Sequence, residues 1–458
     1  MPLNPKELKK NLFLGKDKDG YTAWHRAALK GSLKALETLR CWVKEAELNI
    51  DELLLVETGK GLTAFQLAAE NNQVETLKKM WVWAEEMPLN PKELKKNLFL
   101  GKDKGGYTAW HRAALGGSLK ALETLWSWVK EVELNPHELL LVETGHGYTA
   151  FHLAARNNHV ETLQKMWVWA EETPLNPKEL KKNLFLGKDK DGCTAWHEAA
   201  FIGNLKALET LQCWIKEAEL NIDKLLLVKT AHGYTAFHLA AENNQVETLK
   251  KMWAWAEETQ LNPKELKKNL FLDKDKYGCI AWHRAAFMGN LGALEALRSW
   301  VKEAELNIDE LLLIKSEHGY TGFQLAARNN HVETLKKMWV WAEETPLNPK
   351  ELKKNLFLGK DKDGYTAWHR AALEGSLKAL ETLWSWVKEV ELNIDELLLV
   401  ETGDGYTAFQ LAAENNQAET LKKLWVWAEE IQLNPKELKK NCFWPKTCMD
   451  TSHGTEQQ

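Results

Sequence analysis

The heptapeptide Asn-Pro-Lys-Glu-Leu-Lys-Lys begins at Asn4, Asn90, Asn176, Asn262, Asn348 and Asn434, always 86 residues apart. A strict period of this size constrains the fold more than any single motif, because one short unit cannot bury its own apolar face and must lean on its neighbours. Inside each copy the stretch around Trp24 is echoed around Phe65 after 41 residues, and Phe65 is followed by Trp110 after another 45. Five tryptophan units therefore alternate with five phenylalanine units. A chain of 458 residues exceeds one ordinary globular core, and the regular copies favour an elongated array over several independent domains.

Each unit reads as helix, turn, helix, with an added piece. Asp17 to Gly20 is turn chemistry, and Thr22 is placed to cap a short first helix through Leu29. Gly31 ends that helix; its equivalent in the phenylalanine units is Asn72, and both residue types accept the left-handed backbone of a helix end. A second helix is expected from Ser32 to about Ala46, with Leu33, Leu36, Leu39, Val43 and Ala46 at three-to-four spacing. Asn49 with Glu52, and Asn90 with Pro91 and Glu93, signal the start of a third helix. Its Leu53, Leu54 and Val56, or Leu94, Leu98 and Phe99, would pack on the rim of the stack.

The segment DGYTAWHRAALKGSLKALETL resembles the ankyrin repeat, whose pattern is Asp-Gly-x-Thr-Pro-Leu-His-x-Ala-Ala-x-x-Gly followed by a leucine-rich second helix. It departs from that pattern at Ala23, where the family has Pro, and at Trp24, where it has Leu; the units run 41 or 45 residues instead of about 33. The expected fold is all-α, an ankyrin-like helical solenoid with an extra short helix per unit. Residues 1–18 are read as an N-terminal capping segment, 19–433 as ten ankyrin-like units, 434–445 as a C-terminal capping helix and 446–458 as a disordered tail.

The 23 tryptophans sort by position. Ten, from Trp42 and Trp83 to Trp386 and Trp427, occupy one place in the second helix and are expected to form a column whose successive rings meet. Trp24, Trp110, Trp196, Trp282 and Trp368 fill a first-helix core position, and Trp81, Trp167, Trp253, Trp339 and Trp425 sit two residues before the column. Trp126 and Trp384 take that last place where other tryptophan units have Arg40, Gln212 and Arg298, so they are the candidates for an aromatic ligand groove, with structural packing as the competing reading. The resemblance gives His25, His111, His197, His283 and His369 a structural role, bonding backbone and the neighbouring Thr to hold the turn. His146, His232 and His318 fall at turn tips and His159 in an inter-helix turn, where a partner or a metal are both open.

Several function classes are disfavoured. With 60 basic and 65 acidic side chains, formal charge −5, nothing draws the chain to nucleic acid or anionic lipid, and no apolar run approaches a membrane span. The polar N-terminus lacks a signal-peptide core, so an intracellular, cytoplasmic monomer is the expectation, with the nucleus left open. Equivalent cysteines lie too far apart in an array for disulfides, which favours reduced thiols. A calcium loop counted from Gly15 has no side chain at its first position and Arg26 at its twelfth; Cys442, Cys448 and His453 are three irregularly spaced candidates for zinc. No metal or cofactor is assigned, and no nucleophile motif, phosphate loop or zinc-protease motif is present, so no enzyme is expected.

Specificity should lie where the copies differ on the surface. In ankyrin proteins partners usually lie on the concave face of turn tips and first helices. By resemblance the partner-binding candidates are the series Lys30, Gly116, Ile202, Met288 and Glu374, the series Arg26, Arg112, Glu198, Arg284 and Arg370, and the turn-tip residues Lys60, His146, His232, His318 and Asp404. Phe201 and Phe287, next to Ile202 and Met288, suggest an apolar anchor rimmed by charge. Neutral drift after duplication accounts for the same variation. The expected function is a non-enzymatic protein-interaction scaffold or adaptor; the alternative is a structural or elastic spacer with no dedicated partner. Ile280 in place of Thr, Gly292 and Gly322 predict a soft point near residues 277–323.

Overall fold

A computed structural model describes residues 5–430, apart from positions 44, 47, 88, 89, 175, 260, 261, 346 and 347. The expected C-terminal helix at 434–445 and tail at 446–458, with Trp444, Cys442, Cys448 and His453, lie outside these residues. The described residues form 30 α-helices and one 3-10 turn, and their one extended pairing is an isolated bridge between Glu57 and Thr63. The protein is all-α. The described residues form two compact bodies, those up to 221 with 229–231, and 222–228 with those from 232 onward.

In the first body the helices Ala23–Lys30, Ala64–Glu70, Ala109–Leu115, Ala150–Arg156 and Ala195–Ile202 each pack on the next. Second helices do the same, Val74–Glu85 on Leu119–Trp128 and Val160–Glu172 on Leu205–Cys213. A third layer follows, with Ile50–Leu55 on Pro91–Leu100 and Pro136–Leu141 on Pro177–Leu186. The second body repeats the plan from Ala236–Glu242 to Ala408–Glu414. Taken by itself, each body is a helical solenoid held by contacts between successive units, and the third helix is real. It also locates the two unit lengths: six residues in Ile50–Leu55 go with the 41-residue spacing, and ten in Pro91–Leu100 with the 45-residue one.

Local chemistry explains the elements. Thr108 accepts the His111 N–H (3.4 Å) while His111 Nδ1 accepts the Thr108 N–H (3.2 Å), a reciprocal cap in which His plays the usual Glu part. First helices end where the backbone turns left-handed: at Gly31 (φ 65°) in a tryptophan unit and at Asn72 (φ 56°) in a phenylalanine unit, the two solutions expected from sequence. Asn90 caps the third helix, accepting the Glu93 N–H at 3.4 Å, with Pro91 at its first position.

The second helix differs from expectation. It stops at Trp42, or Trp128 in the next copy, short of Ala46. In the second copy Leu134 N–H bonds Val129 O (3.1 Å) and Glu133 N–H bonds Lys130 O (3.2 Å), with Glu133 at φ 54°. This is a left-handed helix end built on Glu, repeated at Glu219, Glu305 and Glu391. Its side chain is engaged by a lysine from the third helix of the preceding unit: Lys92 with Glu133, and Lys178 with Glu219 at 2.8 Å.

The tryptophan column is also corrected. Each stacking partner of a column ring is the side chain two positions before the column in the preceding unit: Trp128 stacks on Trp81 at 4.3 Å, Trp214 on Trp167 at 4.6 Å and Trp386 on Trp339 at 4.3 Å. The phase between units, not the equivalence of positions, decides who touches whom. Trp42, in the first unit, is 51% exposed.

The expected soft residues are packed. Ile280 is fully buried and its N–H still bonds His283 Nδ1 (3.2 Å), so the lost hydroxyl removes half the cap and adds apolar burial. A methyl added at Gly322 would lie 2.7 Å from Trp282 Nε1, and one at Gly292 would lie 2.9 Å from Val246 Cγ2. Neighbours occupy the space that a side chain would take.

Candidate interaction surface

The two surfaces singled out by sequence are the turn tips and the ends of the first helices. Turn tips are joined by backbone: Lys190 N–H bonds His146 O (3.1 Å) and Lys104 N–H bonds Lys60 O (3.2 Å) in the first body, Lys276 N–H bonds His232 O (3.0 Å) and Lys362 N–H bonds His318 O (3.1 Å) in the second. The side chains of Lys60, His146, His232, His318 and Asp404 are exposed. The framework fixes the backbone and leaves these side chains to vary.

At the first-helix ends Lys30, Gly116, Ile202, Met288 and Glu374 are all exposed. Ile202 is 41% and Met288 46% exposed, with Phe201 and Phe287 beside them also at the surface. Glu374 is paired with Arg328 Nε at 2.9 Å. Gly116 has a steric reason as well, since a methyl there would meet the Glu70 carbonyl oxygen.

The arginine series is largely spoken for. Arg112 and Arg284 donate through Nε to Asp103 and Asp275 (2.8 Å each), and their guanidiniums lie over Tyr107 (4.7 Å) and Tyr234 (4.5 Å). Arg370 is buried, bonding Asp361 at 2.8 Å and covering Tyr365 at 4.0 Å. Only Arg26 of the four is exposed, and it too holds Asp17. Glu198 is buried and paired with Arg156 at 2.7 Å. As free surface, Glu198 and Arg370 are corrected: turn aspartates and neighbouring arginines take up the charge that a partner would need.

Trp126 and Trp384 are half-buried, with one face stacked on Trp169 (4.7 Å) and Trp427 (4.5 Å). They do not frame an open aromatic groove. Where an arginine stands instead, Arg40 and Arg298 lie over Trp83 (5.0 Å) and Trp341 (5.3 Å).

The motif histidines are spent on structure. His111 Nδ1 faces Thr108 Oγ1 at 2.9 Å and Nε2 faces Val142 O at 3.0 Å, so both ring nitrogens are engaged. Burial pushes His111, His283 and His369 down to about 4, leaving neutral rings. His152 and His238 play the same part in phenylalanine units, where Gln66 and Gln324 are the alternatives; they stand three residues after a capping Thr, the signal that sequence reading passed over. His159 bonds Leu115 O (3.0 Å) through Nε2 and bridges two units.

Also missed was a repeated clasp. Lys181 is buried over the Trp167 ring (5.0 Å), bonded to Glu171 and to Glu217 (3.0 Å), and Trp167 Nε1 donates to the same Glu217 (2.8 Å). Burial works against the Lys181 charge, but the two carboxylates outweigh it and raise its proton affinity; the Trp167 N–H and then Lys181 lower that of Glu217. Trp81 with Glu131 and Lys95, and Trp253 with Glu303 and Lys267, repeat it.

These features define a class, an all-helical tandem-repeat protein whose units share one framework. The ankyrin-repeat family model matches residues 146–167, from the His146 turn tip to Trp167, and the repeated helical structure fits an ankyrin-type repeat protein. The ankyrin repeat, whose family model matches this segment, is a protein-interaction module. No curated protein matches the chain. No helix among the described residues is long and apolar enough to cross a membrane, and Cys41, Cys193, Cys213 and Cys279 are free thiols.

Proposed function

We propose that the protein is a non-enzymatic scaffold or adaptor, intracellular and monomeric, whose units across residues 19–433 present turn tips and first-helix ends to another protein. The observation that supports this reading is the exposure of large apolar side chains where the copies differ: Phe201 and Ile202 in the first body, Phe287 and Met288 in the second. Exposed apolar side chains gathered at a variable site mark a contact surface, since a monomer gains nothing by wetting them. A spacer, whose length alone matters, has no use for such residues.

The test is proximity labelling in cells with the full chain and with the Ile202→Asp, Met288→Asp double variant. The scaffold reading expects specific proteins enriched by the parent chain and lost in the variant, with an unchanged melting curve because both sites are solvent-facing. The same labelled proteins in both, at equal abundance, would return the spacer.

A further inference from the structure

At the start of each tryptophan unit one aspartate organises the turn. Asp103 Oδ1 accepts the N–H groups of Gly105 (2.9 Å) and Tyr107 (3.0 Å), and Oδ2 takes the guanidinium of Arg112; Asp17, Asp275 and Asp361 do the same with Arg26, Arg284 and Arg370. The third copy keeps the first half and breaks the second. Asp189 Oδ1 accepts the N–H groups of Asp191 (2.9 Å) and Cys193 (2.7 Å), but Glu198 stands where the other copies have arginine, and the buried Oδ2 has no hydrogen-bond partner.

Two substitutions converge here. Cys193 replaces the tyrosine of Tyr107, and Glu198 replaces the arginine of Arg112. Asp189 and Glu198 are 7% and 5% exposed, and with Cys193 they bring one sulfur and two carboxylate oxygens within 4.8 Å of one another, the one such cluster among the described residues. Arg156, from the preceding unit, bonds Glu198 at 2.7 Å and leaves the Asp189 oxygen unanswered. The fourth copy is an internal control: Cys279 also replaces tyrosine, but Arg284 is kept and holds Asp275.

We propose that Asp189, Cys193 and Glu198 form a site for a divalent transition-metal ion of the zinc class, seated where the other copies place a guanidinium. Burial, aided by the neighbouring acidic groups, pushes all three side chains toward their protonated forms. A divalent cation inverts that preference and holds the sulfur as thiolate. Binding releases to solvent the Cys193 thiol proton and any proton held by the Asp189 and Glu198 carboxyls, forms the metal–sulfur and two metal–oxygen bonds, and leaves a fourth position for water. The thiolate selects against calcium and magnesium, which take oxygen alone.

The test uses the full chain stripped of metal by a chelator and titrated with Co2+, whose thiolate complexes absorb in the near ultraviolet. The site predicts a saturable thiolate–cobalt band that is lost in Cys193→Ser and in Glu198→Arg, the latter restoring the residue of the other copies and so expected to fold. The band persists in Cys279→Ser and in the Cys442→Ser, Cys448→Ser variant. Zn2+ bleaches the band, and it raises the melting temperature of the parent but not of Glu198→Arg. A band that survives Cys193→Ser places the cation elsewhere and overturns the site. So does a parent chain that shows no band.

Discussion

Tryptophan and phenylalanine units reach the same inter-unit packing by placing one indole differently. In a phenylalanine unit Phe65 lies 6.1 Å from Trp81, which stacks at 4.3 Å on Trp128 of the next unit. In a tryptophan unit the large ring is on the first helix, Trp110, 5.6 Å from Trp169 of the next unit, and the place of Trp81 is taken by Trp126, or elsewhere by Arg40 or Arg298. The larger first-helix ring covers its neighbour well enough that the second position accepts an indole, a guanidinium or, at Gln212, a carboxamide. With the smaller ring that position is Trp in every copy, and in the clasps its N–H is bonded to a glutamate of the following unit. Interchangeable residues are found where the core is already complete.

The strongest way to break this comparison is to remove the first-helix ring. Trp110→Ala, at a fully buried position, should cost about 3–5 kcal/mol, and Phe65→Ala a similar amount, read as the loss in denaturant midpoint. Trp110→Phe separates the two designs: it should be tolerated better than Trp24→Phe, because Trp126 stands beside Trp110 whereas Arg40 occupies that place in the first copy. Equal costs at the two sites would show that the second position gives the ring no support.

The next effect concerns the capping residue, His in some phenylalanine units and Gln in others. Burial lowers His152 to about 4, against about 6.5 when unfolded. Between these values the unfolded chain binds the extra proton, so the stabilisation is complete above about pH 6.5 and is lost as pH falls toward 4, by about 3 kcal/mol. Gln66 makes the same contacts without titrating, its Oε1 accepting the Thr63 N–H (2.8 Å) and its Nε2 donating to Gly101 O (2.8 Å). His152→Gln should therefore flatten the acid loss while leaving stability at pH 7 within about 1 kcal/mol, measured by amide exchange in the Ala150–Arg156 helix. An unchanged acid limb would place the titration elsewhere. A smaller loss, about 1 kcal/mol, is expected for Glu217→Ala, which leaves the Trp167 N–H unpaired and Lys181 with Glu171 alone; much of that carboxylate is exposed, so solvent screens it.

The 86-residue period made helices, turns and buried rings legible, because equivalent positions need equivalent burial: Trp24 and Phe65 are both fully buried, and Gly31 and Asn72 both turn left-handed. Periodicity does not carry the phase between neighbouring units, so a column of Trp83, Trp128 and Trp169 was expected where Trp81 stacks on Trp128 and Trp126 on Trp169. Nor does it mark a helix end made on Glu133, where no glycine or asparagine signals the left-handed residue. Reading Arg26, Arg112, Glu198, Arg284 and Arg370 as one surface series hid the aspartate nine residues before each, which the four arginines bond and Glu198 does not. The turn aspartate is buried in the second, third, fourth and fifth copies, and it matters only when that pair is considered together.

The smallest effect tests the interchange itself. Trp126→Arg replaces an indole stacked at 4.7 Å on Trp169 with the residue that the first copy sets 5.0 Å above Trp83. An aromatic pair contributes about 0.5–1.5 kcal/mol beyond its burial, and a guanidinium over an indole about 0.5–1 kcal/mol at a partly exposed site. The difference should stay under about 1 kcal/mol, and the guanidinium gains a second route to stability, since Arg40 also reaches Glu86 of the following unit and the second copy places Glu172 at the equivalent position. High salt should then weaken the Trp126→Arg chain slightly more than the parent. A loss of several kcal/mol would mean that Trp126 completes the core of its unit, and the asymmetry between the two kinds of unit would have to be abandoned.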